Sequence, residues 1–231
     1  MRRVVLVVIL VFGLVSAQSI GAQSQSSDGP YIGVVTGFGW GNSSQRDEVI
    51  PTPPPPEEEV PADGDYRVRG GTIGLTAGYN VLIGQLLLGI EGDINWSEIS
   101  GSSALCGGNH VCGTNLEGFG TLRARAGISL SKPTLAYVTG GLAVGRIHAF
   151  DKLDPAFQDT KIKAGWTIGG GLEHKLDLKW SLKLEYLYMH FGRDEYFTIP
   201  NHTPERVDLD VHVARIGLNY ALGDPIREPL K

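Results

Sequence analysis

The chain has 231 residues, of which 42% are hydrophobic and 19% charged, and it contains 32 glycines and 13 prolines. Glycine and proline at this density interrupt helices, which disfavours coiled coils and helical bundles and favours an all-β fold. The formal net charge is −5 and the sequence has no basic cluster, which argues against a nucleic-acid partner because phosphate binding needs a concentrated positive field.

The N-terminal segment has the layout of a secretory signal peptide. Arg2 and Arg3 precede an apolar run over residues 4–15, and small residues follow, with cleavage after Ala17 or Ala22 left open. The run is too short to span a bilayer as a helix. We therefore expect residues 1–22 to be removed on export and residues 23–28 to form a short N-terminal segment.

Eight segments with alternating polar and apolar residues follow, and they are bounded by turn residues, which is typical of transmembrane β-strands. The predicted strands are 29–41, 70–81, 85–97, 114–130, 134–149, 162–176, 180–191 and 207–222. Short connections (82–84, 131–133, 177–179) alternate with long ones (42–69, 99–113, 150–161, 192–206). This alternation predicts an eight-stranded antiparallel up-and-down transmembrane β-barrel over residues 29–222, with short periplasmic turns, long extracellular loops and a C-terminal tail at 223–231.

The polar faces of the predicted strands carry balanced charges. A soluble barrel would point these faces to water, whereas a membrane barrel points them into its bore, where unpaired charges are costly. The equal numbers of acids and bases on the polar faces therefore favour the membrane barrel. Two strands show a less clear pattern: predicted strand five is apolar on both faces, and strand eight changes phase near Val213. The predicted interior ion network has five acids and five bases: Glu91, Asp93, Glu117, Glu173 and Glu185, with Arg123, Arg125, Lys175, Lys183 and Arg215.

Aromatic residues cluster near the predicted strand ends, as expected where amphipathic rings meet lipid headgroups. If strand one rises from the periplasm, the upper girdle contains Trp40, Trp96, Trp166 and Tyr188, and the lower girdle contains Tyr79, Tyr137, Trp180 and Tyr220.

Two long loops carry features of their own. Cys106 and Cys112 are the only cysteines, and in an exported chain they predict a disulfide, with a metal site that includes His110 as the alternative. The loop 42–69 contains PTPPPPEEEVPADGD, whose composition predicts an extended, solvated chain or, alternatively, a polyproline segment that binds a partner.

Six ordered motifs resemble the alphaproteobacterial outer-membrane immunogenic protein family, which consists of small porin-like or opacity-like β-barrel surface antigens. They are GIEGDINW (89–96), GTLRARAGISL (120–130), LAYVTGGLAVG (135–145), GWTIGGGLEHKL (165–176), WSLKLEYLY (180–188) and RIGLNY (215–220). The resemblance covers essentially the whole mature chain and implies an outer-membrane location. The sequence differs from that pattern in the tail GDPIREPLK, because barrels of this kind usually end at an aromatic residue of the last strand.

The function predicted from these features is a structural and antigenic surface protein whose narrow or closed barrel is plugged by charged side chains. Its expected partners are outer-membrane lipid, lipopolysaccharide and the barrel-assembly machinery, with no cofactor, no resident metal and no catalytic residues. The alternative is binding of hemin or a host ligand by the extracellular loops, since some family members are linked to hemin binding or adhesion. Candidate hemin contacts are His110, His148, His190 and His202.

Two further functions rank lower. A wide solute pore is disfavoured because eight strands enclose a bore that side chains can fill. A lipid-modifying enzyme would need a nucleophile and a base within hydrogen-bond reach, and Ser97 or Ser100 with His148 come from separate strands with no motif that brings them together.

Overall fold

A computed structural model describes residues 28–47, 64–103, 111–151, 158–196 and 205–223. Each strand pairs antiparallel with its neighbours in the chain, and the first strand pairs with the last to close the barrel, which confirms the predicted fold. No helix among the described residues is long and apolar enough to cross a membrane. The strands are β1 (Gly29–Asp47), β2 (Gly64–Ile83), β3 (Leu86–Ser103), β4 (Cys112–Ser131), β5 (Thr134–Asp151), β6 (Gln158–Lys175), β7 (Trp180–Tyr196) and β8 (Glu205–Ala221).

The two ends of the barrel differ in their connections. We call the end that holds the connections 84–85, 132–133 and 176–179 the turn end, and the opposite end the loop end. Every strand extends further toward the loop end than the alternation pattern predicts. The β1–β2 ladder, for example, continues to the pair of Gln45 with Gly64, beyond the predicted strand limits at Gly41 and Gly70. The predicted strand limits therefore mark a change in side-chain pattern and not the end of the hydrogen-bonded sheet.

The turn-end half of the barrel is inverted relative to a soluble protein. Glu91, Arg123 and Lys183 are 0%, 1% and 0% exposed, whereas leucines on the same three strands point outward and are exposed. Leu88, Leu122 and Leu184 are 42%, 61% and 51% exposed. An apolar outer wall around a charged bore is the arrangement that a hydrocarbon surrounding favours.

The loop-end half has the opposite arrangement, which the sequence analysis did not predict. Its bore is filled by an apolar layer, which we define by one cluster of buried residues: Tyr66, Val68, Ile99, Leu116, Phe119, Ala143, Ile147, Ala149, Met189, Phe191, Leu209, Val211 and Val213. The strand β8 shows the transition, because its odd-numbered residues are buried inward from Leu209 to Asn219 without a change of phase. They are apolar from Leu209 to Val213, and Arg215 follows. The change near Val213 is therefore a change in surroundings and not in backbone phase.

Glycines make room for the large side chains inside the bore. Tyr31 lies opposite Gly78 across the β1–β2 ladder, and Tyr137 lies opposite Gly171 across the β5–β6 ladder. A Cβ atom at either glycine would overlap the phenol ring that crosses it. Because eight strands enclose a narrow cylinder, the long inward side chains must lie flat against a neighbouring backbone. The same pairing recurs for Arg123 with Gly141, Lys183 with Gly217, and Arg215 with Gly37.

Candidate functional site

The most distinctive feature of the bore is a cluster of ionised side chains below the apolar layer, on its turn-end side. Four acids and four bases from β3, β4, β6, β7 and β8 are joined by ion pairs, so their formal charges cancel. We call this cluster the ion network: Glu91, Asp93, Glu173 and Glu185, with Arg123, Arg125, Lys183 and Arg215. The structure thus brings together eight of the ten residues assigned to it from the sequence.

Glu91 is the centre of the ion network. Its carboxylate accepts hydrogen bonds from Lys183 Nζ at 2.8 Å, from Arg125 Nη1 at 3.3 Å and from Arg123 Nη2. The hydroxyl of Tyr31 donates a fourth hydrogen bond, at 2.6 Å. A carboxylate that is fully buried remains charged only when such donors replace its water shell.

On the side nearer the apolar layer, Asp93 and Glu185 both bind Arg123 and Arg215. Asp93 Oδ2 accepts from Arg123 Nη2 and from Arg215 Nη2, both at 2.9 Å. Glu185 accepts from Arg123 Nη1 at 3.1 Å and from Arg215 Nε at 2.5 Å. Each guanidinium group thus joins a carboxylate on its neighbouring strand to one across the bore, because Arg123 on β4 binds β3 and β7 whereas Arg215 on β8 binds β7 and β3. The fork geometry of arginine suits this role better than a point charge would.

Arg125 and Glu173 extend the ion network toward the turn end. Arg125 Nη2 donates to Glu173 Oε2 at 2.7 Å, and Ser181 Oγ donates to the other carboxylate oxygen at 2.6 Å. The guanidinium group of Arg125 also lies 4.0 Å from the ring centroid of Tyr137, within cation–π range. Tyr137 also donates a hydrogen bond to Glu185 at 2.8 Å. Tyr31 and Tyr137 therefore both contact the ion network, each as a hydrogen-bond donor to a carboxylate and as a ring partner of Arg125.

Glu117 does not belong to the ion network, and its assignment from the sequence was wrong. Its carboxylate pairs with Arg146 Nε at 2.8 Å, and the side chains of Glu117 and Arg146 are 37% and 63% exposed. The cause is a β-bulge in β4, where the register with β5 shifts between Leu116 and Gly118. One extra residue reverses the facing of the positions beyond it, which counting by twos cannot anticipate.

Lys175 lies at the edge of the ion network. It is half-buried and lines a cavity of about 30 Å³ at the turn end, together with Asp28, Glu173 and Asn219. The cavity is large enough for about one water molecule and too small for an organic ligand.

The predicted aromatic girdles lie on the outer wall with one exception. Trp40, Trp96, Trp166, Tyr79 and Trp180 are exposed there. Tyr188 contacts Trp166 with ring centroids 5.3 Å apart, and Tyr220 contacts Trp180 with centroids 4.9 Å apart.

Tyr137 is the exception, and its assignment to the lower girdle was wrong. It is 4% exposed and points into the bore. The part of β5 around Tyr137 has no charged residue from which its inner face could be identified, because residues 134–145 are mostly apolar on both faces. Tyr31 was not predicted to lie in the bore. The sequence did contain the signal, because Tyr31 is an odd number of positions from Trp40 on the same strand, so alternation places the two side chains on opposite faces.

The candidate hemin contacts do not form one site in the described residues. His148 and His190 both lie at the loop end on outward faces, on β5 and β7, with β6 between them. His148 Nδ1 lies 2.8 Å from Thr160 Oγ1, and His190 Nδ1 lies 2.8 Å from Asp210 Oδ1. His110 and His202 lie outside the described residues, so the hemin hypothesis stays a prediction.

Two other assignments have similar limits. Cys106 lies outside the described residues and Cys112 is the first residue of β4, so the disulfide stays a prediction, as does the signal peptide. The residues weighed for a lipid-modifying enzyme are separated by the barrel wall, because Ser97 is buried on the inner face and His148 lies on the outer face. The remaining candidate, Ser100, is exposed on β3.

Comparison with known proteins identifies the family. The profile of the outer membrane protein beta-barrel domain matches residues 7–221. The chain belongs to this family. The apolar outer wall and the charged bore agree with this family of outer-membrane barrels, so the chain is an outer-membrane protein.

The relatives are similar over most of their length. The 31 kDa outer-membrane immunogenic protein of Brucella melitensis biotype 1 is 34% identical over 200 residues, which cover 83% of this chain and 82% of that protein. The 25 kDa outer-membrane immunogenic protein of Brucella abortus biovar 1 is 32% identical and covers 86% of this chain and 81% of its own length. Among solved structures, Neisserial surface protein A superposes with a TM-score of 0.47 at 11% identity, covering 82% of this chain and 97% of that one. The two Brucella relatives confirm the resemblance to outer-membrane immunogenic proteins found in the sequence motifs.

Proposed function

We propose that this outer-membrane barrel is a closed scaffold that contributes to the envelope and presents its loops at the cell surface, and that it is neither a solute pore nor an enzyme. The observation that carries the proposal is the filling of the bore by two successive layers. The ion network occupies the turn-end half, and the apolar layer occupies the loop-end half. An ion that crossed would have to displace paired charges and then pass the apolar layer, whose side chains are mostly hydrocarbon, and each step is costly.

The neutrality of the ion network supports this role over selective permeation. Rings of uncompensated charge of one sign line selective pores, whereas here the carboxylates are engaged by arginine and lysine. Hydroxyls extend the closure beyond the apolar layer, because Thr114 Oγ1 lies 2.5 Å from Tyr66 Oη and 3.2 Å from Ser43 Oγ. The partners implied by a closed scaffold are outer-membrane lipid, lipopolysaccharide and the barrel-assembly machinery.

Conductance in planar bilayers tests the closed scaffold. The folded mature protein should give no stable openings across a range of voltages. A variant that empties both layers while keeping the charge balance, Glu91→Ala with Lys183→Ala, Phe191→Ala and Leu209→Ala, should open or flicker if it retains heat-modifiable migration in electrophoresis. Removal of the outer pair, Glu117→Ala with Arg146→Ala, is the matched control and should be as silent as the native protein. Large, stable openings from the native folded monomer would overturn the proposal.

The non-enzymatic part of the proposal has its own test. Lipid A extracted from a strain that lacks the protein should have the same mass spectrum as lipid A from the parent strain. A lost acylation or deacylation product that returns with the cloned gene would contradict it.

A further inference from the structure

Three side chains that can ligate a metal converge on the outer face at the loop end, between β7 and β8. His190 Nδ1 lies 2.8 Å from Asp210 Oδ1 and 3.9 Å from Asp208 Oδ1. The candidate ligand atoms of the three residues all lie within 4.8 Å of one another, and no second group of this kind occurs among the residues that the structure describes. This cluster lies outside the bore and has no part in the ion network.

The strand register holds the three side chains on one surface. His190 lies directly opposite Asp210 in the β7–β8 ladder. Asp208 is two residues from Asp210 on the same strand, and residues so spaced point to the same face of a sheet. Because all three positions are on paired strands, the cluster is held by the barrel wall itself.

The donor set and its spacing select a class of metal. Calcium and magnesium prefer oxygen ligands alone, whereas one imidazole with two carboxylates suits zinc and similar divalent ions. Ligand atoms around tetrahedral zinc lie about 3.3 Å apart, given bonds of roughly 2 Å. The observed 2.8 Å and 3.9 Å separations lie on either side of that spacing, so small side-chain rotations would complete the geometry.

The surroundings of the cluster fit a partly open site. The side chains of His190, Asp208 and Asp210 are 30%, 28% and 40% exposed, which leaves an approach from the membrane surface. Tyr188 Oη donates to Asp210 Oδ1 at 2.7 Å, and the Trp166 ring lies 5.8 Å from the His190 ring. Since these two aromatics belong to the upper girdle, the cluster is at headgroup depth, where the phosphates of an outer leaflet concentrate divalent cations.

We propose that His190, Asp208 and Asp210 bind one zinc-class divalent cation on the outer wall of the barrel, with a remaining coordination position open to water or to an anionic oxygen at the membrane surface. Tyr188 acts as a positioning residue, because its hydrogen bond orients the Asp210 carboxylate without contacting the metal. The site does not depend on whether the bore is closed.

Zinc titration of the untagged mature protein, folded in a phosphate-free nonionic detergent and stripped with chelator, tests this assignment. We expect one equivalent of zinc to bind, measured by calorimetry or by competition with a chromophoric chelator. His190→Ala and Asp210→Asn should abolish the stoichiometric binding. Tyr188→Phe should keep the site but weaken it about tenfold, as loss of an outer hydrogen bond to a metal ligand does.

The matched control is His148→Ala, since His148 is also at the loop end on the outer face but has Thr160 as its hydrogen-bond partner instead of two carboxylates. Its zinc affinity should equal that of the native protein. Asp208→Asn provides a second variant of the site, and heat-modifiable migration checks that each variant is folded. Absence of stoichiometric binding to the native protein, or equal affinity in the His190→Ala variant, would overturn the proposal. Calcium binding with the same affinity in the native protein and the His190→Ala variant would also overturn it, because that result would indicate a site with oxygen ligands alone.

Discussion

The two halves of this barrel have opposite distributions of polarity on one continuous sheet. Toward the turn end, charged side chains fill the bore and leucine, isoleucine and valine cover the outer wall. Toward the loop end, the bore is mostly apolar, with Lys163 as a buried charged residue that donates to the carbonyl oxygen of Gly192. The outer wall there carries charged residues such as Arg69, Glu98 and Arg146. The upper aromatic girdle lies at the boundary between them. The same eight strands run through both halves, and the difference follows what lies outside the wall: hydrocarbon below the girdle and water above it.

The ion network needs internal neutrality, whereas the loop-end surface does not, because the two differ in access to water. A charge at the centre of the ion network, such as Glu91, has lipid on the far side of the wall and is fully buried from water, so only its partners stabilise it. A charge on the upper outer wall is hydrated whether or not it is paired.

Removal of a central arginine should have the largest effect. Arg123→Met leaves Glu91, Asp93 and Glu185 each short of a donor inside the bore. We expect a loss of about 3–5 kcal/mol in the free energy of unfolding, because breaking one partner of a buried ion cluster leaves uncompensated charge. Urea titration of the protein in lipid vesicles, followed by tryptophan fluorescence, measures it. A loss below about 1 kcal/mol would mean that water reaches the network and the lower half is not dry.

An arginine placed on the outer wall should discriminate the two halves directly. Leu122 is 61% exposed in the lower half, and Ile162 is 75% exposed beyond Trp166 in the upper half. Leu122→Arg should cost about 2–4 kcal/mol, as for arginine near the midplane of a bilayer, whereas Ile162→Arg should cost about 0–1 kcal/mol. The same vesicle titration measures both. Equal costs would show that the girdle does not mark the edge of the hydrocarbon.

Much of this organisation was predictable, and the failures have physical causes. Alternation identified strand faces where one face is charged, as with Glu91 and Asp93 on β3. It failed for Glu117 because a bulge adds a residue that no periodic count contains. It failed for Tyr137 because β5 has no charged face to set the direction. The apolar layer was missed because an inverted pattern was applied to whole strands, although the change near Val213 indicated where the surroundings change.

Loss of one phenolic hydroxyl should have an intermediate effect in the lower half. Tyr137→Phe keeps the ring against Arg125 but removes the hydrogen bond to Glu185. A hydrogen bond to a charged group contributes about 1.5–3 kcal/mol, so we expect a destabilisation in that range in the vesicle titration. Tyr79→Phe is the control, since Tyr79 is exposed on the outer wall, and it should change stability by about 0.5 kcal/mol or less. If both variants behave alike, the hydroxyl of Tyr137 has no structural role in the network.

The exposed ion pair of the upper half should contribute least. Glu117 and Arg146 are joined at 2.8 Å, a shorter separation than the 3.1 Å between Arg123 and Glu185 in the bore. Distance alone would rank the outer pair as the stronger, but hydration of both side chains limits its contribution to about 0–1 kcal/mol. A double-mutant cycle of Arg146→Ala and Glu117→Ala measures the coupling. A coupling that matches the cost of Arg123→Met would mean that the outer wall at this level is not in water, and the boundary between the halves would have to be placed nearer the loop end.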